Sequence, residues 1–326
     1  MKLRFLANLA KYAALLPLCA APAAAGAQTS GSGQEWLQPI TGVGLLEPTL
    51  NGIQPTYYGS SDAAPNWRIA QWSMPGNKLS PLAATVAADG GTVLSASSTE
   101  ASVSITLGAA PAVQLHQDGS ILPCDNANGK PRESDLFFSP GGFHEPKPGV
   151  SGLTPAALQS PALAQLKSLV FSTSLSVKEG KAAHPKGCMV NQGGALIGVT
   201  LVNHAGPKPQ TLFYQLQFSR ICDQTDPRTA QMCHHISAHP AYWSKVNPFG
   251  GGDVLPALSV PMLASNQQRN LQLDLLPRLK QLIAEGPAAM DKDLSHWSVG
   301  NIYLGQHIWG DVSLESSWKN ISLKAY

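Results

Sequence analysis

The sequence predicts an all-β chain, a two-sheet antiparallel β-sandwich with one short amphipathic helix. Three observations lead there. Short apolar segments of strand length alternate with Gly-, Pro-, Ser- and Asn-rich turn clusters along most of the chain. Several of these segments show the period-two alternation of a half-buried strand. Helical spacing stands out once, late in the chain, so the regular strand-helix alternation of an α/β enzyme is missing. No repeat of fixed period is visible, which argues against a propeller or solenoid.

Taken in order, the chain opens with Met1-Lys2-Leu3-Arg4, an apolar run from Phe5 to Ala25, and Ala25-Gly26-Ala27. A basic start, an apolar middle and an Ala-x-Ala end form a secretory signal, cleaved after Ala27. A retained membrane anchor is disfavoured because Asn8, Lys11 and Pro17 leave the run short of the roughly 20 apolar residues of a span. A lipoprotein would centre on Cys19, but Leu18 before it is too bulky for the usual lipid-attachment signal. Residues 28–66, rich in Gly, Ser, Pro and Thr, are expected to form an extended lead-in. Residues 67–326 then form one domain, since the roughly 300 residues after the signal suffice for a single sizeable core.

Within that domain Arg68 to Trp72 is the first strand, closed by Pro75-Gly76-Asn77. Thr92 to Leu94, Ala101 to Leu107 and Ala112 to His116 follow. In Ala101 to Leu107, Val103, Ile105 and Leu107 alternate with Ser102, Ser104 and Thr106. Longer strands are expected over Leu166 to Val177, Ala195 to Asn203 and Thr211 to Ile221. In the last of these Leu212, Tyr214, Leu216 and Phe218 share one face, and Phe213, Gln215 and Gln217 the other. The helix is marked by Pro277 at a first helical position, by Leu276, Leu279, Leu282 and Ile283 at helical spacing, and by Gly286-Pro287 as a stop. Trp297 to Leu323 is strand again, divided near Gly305 and Gly310.

Charged residues make up 13% of the chain and the net charge is +2. The absence of Lys/Arg clusters argues against nucleic acid or an anionic membrane as partner, because both need a concentrated basic surface. With Cys19 removed in the signal, Cys124, Cys188, Cys222 and Cys233 remain, an even set that reads as two disulfides in an exported chain. Cys222 and Cys233 flank one short polar loop, so the expected pairs are Cys222 with Cys233 and Cys124 with Cys188. The competing reading is a metal site from Cys233, His234, His235 and His239. Its spacing is not a standard zinc pattern, and Pro240 follows at once. No metal or cofactor is therefore expected.

The absent motifs narrow the chemistry. There is no Gly-x-Ser-x-Gly elbow, no phosphate-binding Gly-rich loop ahead of a helix, no His-Glu-x-x-His and no Cys-x-x-Cys. The richest segment is Asn301 to Trp318. Read as one extended strand, it points Ile302, Leu304, Ile308, Val312 and Leu314 one way, and Tyr303, His307, Trp309, Asp311, Ser313 and Glu315 the other. The second face has the mixture found in glycan clefts: rings that stack on the C–H faces of pyranoses, and polar groups that bond hydroxyls. The alternative is that Tyr303 and Trp309 pack under a loop or second layer while the acids are solvated. Asp311 and Glu315 by themselves lie about 13 Å apart on such a strand, too far for a glycosidase pair, which needs about 5–5.5 Å or about 6.5–9.5 Å.

Gly305-x-x-x-Trp309-Gly310, followed by Leu314 and Trp318, resembles the last strands of concanavalin-like jelly-roll glucanases, especially the family-twelve cellulases, with a one-residue gap. The resemblance implies a concanavalin-like β jelly roll whose concave face holds a polysaccharide or oligosaccharide. In that family the acid/base glutamate stands two residues after the glycine, where this chain has His307. The strand comparable to the one bearing the nucleophile, Ala195-Leu196-Ile197-Gly198-Val199, has no acid. Gln114-Leu115-His116 resembles one element of the jelly-roll alginate lyases, whose Arg-rich and Tyr-Phe-Lys-x-Gly strands are missing here. The expectation is thus a secreted protein, periplasmic or extracellular, that binds or processes a polysaccharide. Gln114, Tyr303, His307, Trp309, Asp311 and Glu315 are its candidate ligand contacts. His116, Tyr303, Asp311 and Glu315 are the catalytic candidates, with His116 or Tyr303 as base if the protein is a lyase. A structural or adhesive envelope protein is the non-glycan alternative.

Overall fold

The computed structural model describes residues 32–47, 56–58, 65–72, 78–108, 110–124, 133–140, 152–188, 190–206, 210–219, 221–222, 238–240, 263, 265–286 and 288–326. Its strands, numbered in chain order, form two sheets. The eight-stranded sheet runs β15 (Gln267–Asp274), β10 (Leu169–Lys181), β17 (Val312–Ala325), β8 (Ala112–Asp118), β7 (Ala101–Thr106), β6 (Thr92–Ser97), β5 (Ala83–Val86), with β1 (Gln34–Glu35) also on β17. The nine-stranded sheet runs β14 (Ala238–Pro240), β12 (Gln210–Gln217), β11 (Gln192–Asn203), β16 (Trp297–Trp309), β9 (Glu133–Ser139), β4 (Trp67–Trp72), β2 (Val43–Glu47), β3 (Thr56–Tyr58), with β13 (Ile221–Cys222) on β11. Among the described pairs only β2 and β4 run parallel; the others are antiparallel, as expected.

The sheets stack through the apolar side chains that alternate along strands such as β7 and β8 and face the opposite sheet. Val103, Ile105, Val113 and Leu115 from one sheet meet Ile197, Val199, Leu212, Leu216, Ile302 and Leu304 from the other in a single apolar core. Full burial of such a side chain is worth about 1.5–3 kcal/mol. Rings bridge the layers: Phe218, just after β12, lies 6.2 Å from Phe171 on β10 and 5.9 Å from Trp318 on β17. One polar relay runs through this core. Trp318 Nε1 donates to Ser316 Oγ (3.0 Å), Ser316 Oγ to Gln306 Oε1 (2.7 Å), and Gln306 Nε2 to the Leu314 carbonyl (3.0 Å). The relay thereby ties β17 to β16.

The amphipathic helix is present as α2 (Leu276–Glu285), with Leu276, Leu279, Leu282 and Ile283 buried and Gly286 at its end. A four-residue helix, α1 (Pro155–Leu158), precedes β10. No helix among the described residues is long and apolar enough to cross a membrane. The stretch 28–66, expected as a lead-in, supplies β1 to one sheet and β2 and β3 to the other. Val43 and Leu45 of β2 are wholly buried, but the run is too short between Gly and Pro residues to announce itself as a strand.

The segment 301–318 is not one extended strand. The chain turns at Gly310-Asp311 and passes from β16 in one sheet to β17 in the other. Two features make the turn. Gly310 has φ +69, and a Cβ there would strike the Val190 carbonyl. Asp311 accepts from the backbone N–H of Lys186 (2.8 Å) and of Cys188 (2.7 Å), while its own N–H donates to Asn191 Oδ1 (2.7 Å). Asp311 is therefore a turn residue that binds the loop after β10. The expected Cys124–Cys188 disulfide closes the same end of the sandwich. The other expected bridge, Cys222 to Cys233, and the alternative ligand set of Cys233, His234, His235 and His239 fall on side chains outside the described residues.

Candidate functional site

The outer face of the nine-stranded sheet, away from the core, gathers the densest set of unlike functional groups. On β16 the inward positions are Ile302, Leu304 and Ile308, so Tyr303, His307 and Trp309 point outward. Antiparallel register then fixes their neighbours. His307 has Asp135 of β9 as its Cα partner on one side and Gly194 of β11 on the other. Trp309 is partnered by Gln192, and Tyr303 by Gly198. A Cβ at position 198 would overlap the Tyr303 ring, and one at 194 would crowd the Ser219 carbonyl and the Gln217 amide. The glycines of β11 thus make room for side chains arriving from β16 and β12.

Hydrogen bonds hold the set. Gln215 Nε2 donates to Tyr303 Oη at 3.0 Å, and the Tyr303 ring packs against Phe137, centroids 4.9 Å apart. Gln217 Nε2 lies 3.4 Å from His307 Nε2. With the amide donating, the imidazole accepts at Nε2 and carries its proton on Nδ1. His307 is 1% exposed, Tyr303 4% and Gln192 3%, whereas Trp309 and Asp135 are half-buried. Tyr303 and Phe137 share a small apolar cluster with Ala70 and Leu196, separate from the main core.

The remaining candidates lie elsewhere. Gln114 and His116 are on β8 and Glu315 is on β17, all on the outer face of the eight-stranded sheet. Glu315 is the Cα partner of His116 and of Lys178, and Gln114 is the partner of Ser317. His116 and Tyr303 are thus on opposite sides of the sandwich. Asp311 is 7% exposed at the sandwich end. Its carboxylate, Cys124 and Cys188 fall within 4.8 Å of one another, but the two sulfurs are joined, so they offer no thiolate to a metal.

Several titratable groups outside this face are also perturbed, Asp118, Glu179 and Asp291 among them. Burial raises the carboxyl of Asp118, but hydrogen bonds from the Ser120 side chain and from the Ala183 and Ser120 backbones outweigh it and hold it below its usual range. Burial pushes Glu179 up, against a hydrogen bond from Ser219. After α2, Asp291 is held down at about 2, chiefly by Asn203, then by the Asp293 backbone and His296.

Sequence reasoning missed Asp135, Gln192 and Gln217 as members of the site. Gln217 was legible as part of the polar face of its strand. Asp135 directly precedes Leu136-Phe137-Phe138, an unbroken apolar run that hides the alternation, and its partner His307 lies far away in the chain.

No family model matches the chain, and no curated protein matches it in sequence. Solved structures of similar fold include the native family 12 xyloglucanase from Bacillus licheniformis, with TM-score 0.41 and 10% identity over 77% of this chain and 100% of that one. They also include the family 11 xylanase from Neocallimastix patriciarum (TM-score 0.39, 9% identity, 79% of this chain and 100% of that one). A third is endoglucanase 3 of Trichoderma harzianum, from family 12 (TM-score 0.31, 8% identity, 76% of this chain and 98% of that one). At these TM-scores and identities the likeness carries nothing about chemistry, which has to be read from this chain's own residues.

Proposed function

We infer that the protein is an exported carbohydrate-active protein that recognises or processes an extracellular or periplasmic polysaccharide on the outer face of the nine-stranded sheet. The observation that carries this reading is the row around His307. An imidazole, a carboxylate in cross-strand register (Asp135), two amides (Gln217, Gln192) and two aromatic rings (Tyr303, Trp309) share one sheet face. Rings stack on pyranose faces while amides and carboxylates bond hydroxyls, and a sheet holds such groups at fixed spacing. Export is supported by the N-terminal Ala-x-Ala pattern, with cleavage after Ala27, and by a disulfide of the kind that persists in oxidising compartments.

Recognition is favoured over hydrolysis by the acids named from the sequence, Asp311 and Glu315. A glycosidase needs two carboxyl groups about 5–5.5 Å or about 6.5–9.5 Å apart across the scissile bond. The strand position that the family resemblance assigns to the acid/base glutamate is His307, while Glu315 and Asp311 are both away from this face. A lyase using His116 with Tyr303 is disfavoured by their separation onto opposite outer faces.

The test is to incubate the purified mature protein with a panel of neutral and uronate polysaccharides. Binding is followed by affinity electrophoresis and released fragments by mass spectrometry. The expected result is retardation by at least one polysaccharide with no fragments. Water-added fragments would instead establish a hydrolase and unsaturated fragments a lyase. No retardation and no fragments would refute the carbohydrate reading and favour a structural or adhesive envelope protein.

A further inference from the structure

Two N–H donors lie side by side on the candidate face without an acceptor. Trp309 and Gln192 are Cα partners across β16 and β11, and both point outward, since their neighbours Ile308 and Gly193 face the core. Trp309 Nε1 and Gln192 Nε2 are each buried and have no hydrogen-bond partner. Gln192 is 3% exposed, while the Trp309 ring is half-buried. Buried donors are satisfied in native structures with few exceptions, and an exception calls for an explanation. Directly opposite side chains on adjacent strands stand about 4.5–5.5 Å apart at Cβ, close enough for two donors to converge on one atom.

We propose that Trp309 Nε1–H and Gln192 Nε2–H form an oxygen-binding subsite that takes a hydroxyl, ring or glycosidic oxygen of an uncharged sugar unit. This deepens the proposed function and rests on it. The preference for an uncharged unit follows from the surroundings. Asp135 lies on the same face one row away, diagonal to Trp309, so a uronate carboxylate held by the donors would face another carboxylate. Arg68, the cation on this face among the described residues, is two rows further along and spends its guanidinium Nη1 on the carbonyls of Pro65 and Trp67. The half-buried Trp309 ring provides a surface on which the same sugar can stack while the indole N–H bonds its oxygen.

The test uses the full mature protein, Trp309→Phe, which keeps an aromatic ring and removes the N–H, and Gln192→Leu, which removes the amide at similar volume. Affinity is measured by calorimetry for xyloglucan, xylan and cellulose oligosaccharides and for oligouronates. Each variant is expected to bind neutral oligosaccharides about 5- to 10-fold more weakly than the parent, with uronates bound more weakly still by all three proteins. A second readout is the melting temperature without sugar. Removing an unpartnered buried donor should raise it, so Gln192→Leu is expected to melt about 2 °C or more above the parent. Unchanged affinity in both variants, or tighter binding of oligouronates, would overturn the subsite while leaving the carbohydrate reading standing. A lower melting temperature for Gln192→Leu would also overturn it, because the donor would then have a structural partner. Absence of binding by the parent to every oligosaccharide would remove the carbohydrate reading and the subsite with it.

Discussion

Replacing Ser316 with alanine isolates the polar relay that joins the two sheets. Ser316, Gln306 and Trp318 are all 0% exposed. The Ser316 hydroxyl serves two partners: it accepts from Trp318 Nε1 at 3.0 Å and donates to Gln306 Oε1 at 2.7 Å. Alanine removes one small atom but strands both partners in the core. Each unsatisfied buried polar group costs about 1–3 kcal/mol, so stranding both should destabilise by about 2–6 kcal/mol. At about 2–4 °C per kcal/mol, a loss of about 3 kcal/mol lowers the melting temperature by about 6–12 °C. The assay is equilibrium urea unfolding under non-oxidising, non-reducing buffer, with Trp318→Phe and the double variant completing a cycle. Trp318→Phe removes the donor that Ser316→Ala strands, so the two should couple by about 0.5–3 kcal/mol, the double variant being less damaged than the sum. A Ser316→Ala cost below about 0.5 kcal/mol, the ordinary range of a neutral substitution, would refute the relay.

Three further outcomes follow from the same geometry. Glu179 is raised by burial, so its contribution is fully present below its unfolded value of 4.5 and is lost as pH rises through the higher folded value. Glu179→Gln should therefore stabilise the protein at neutral pH and lose that advantage near pH 4, checked by urea midpoints across pH. His296 is raised above 6.5, first by its hydrogen bond to Asp291 and then by the charges of Asp291 and Asp293; its stabilisation is present below 6.5 and is lost as pH rises through the folded value. In Asp291→Asn the His296 titration, followed by NMR, should move back toward 6.5, and an unmoved titration would contradict the pairing at 2.7 Å. The Cys124–Cys188 bridge closes a separation of 64 residues, which the chain-entropy relation converts to about 4 kcal/mol. The double Cys124→Ser, Cys188→Ser variant should lose about that much in urea unfolding, and a loss under 1 kcal/mol would show that the Asp311 hydrogen bonds alone hold that end together.

How much of this was legible in the sequence depends on the range of the interaction. Local periodicity carried far: Leu212, Tyr214, Leu216 and Phe218 alternate in the sequence and are all 0% exposed, and Pro277 with the leucine spacing placed α2 within a residue or two. The strand break at Gly310-Asp311 was visible as a glycine but not as a change of sheet, because the partners that make the turn, Lys186 and Cys188, are far away in the chain. Cross-strand register is a long-range property of the same kind. Asp135 beside His307, or Gln192 beside Trp309, follows from how β9 and β11 slide against β16, and a slip of one residue would invert every face. The sequence could list the aromatic, amide and carboxylate residues of a site, but only the register says which of them meet.

The two outer faces of the sandwich show why that meeting place matters. On the eight-stranded sheet, Ser102, Ser104, Thr106, Gln114, His116 and Ser317 are half-buried or exposed, so water satisfies their polar atoms without help from the fold. On the nine-stranded sheet Gln192, Thr200, Gln217 and His307 are buried at 5% exposure or less, and each must find a partner or cost stability. Apolar residues at those positions would give a firmer sheet, since Leu196 and Phe137 on the same face already pack into an apolar cluster. A chain that instead places an imidazole beside a carboxylate and an amide beside an indole N–H there has departed from the simplest packing on this face. Departures of that kind mark functional sites more often than accidents of folding. The face around His307 is therefore where substitution should change binding more than it changes stability, and the face around His116 is where it should change neither.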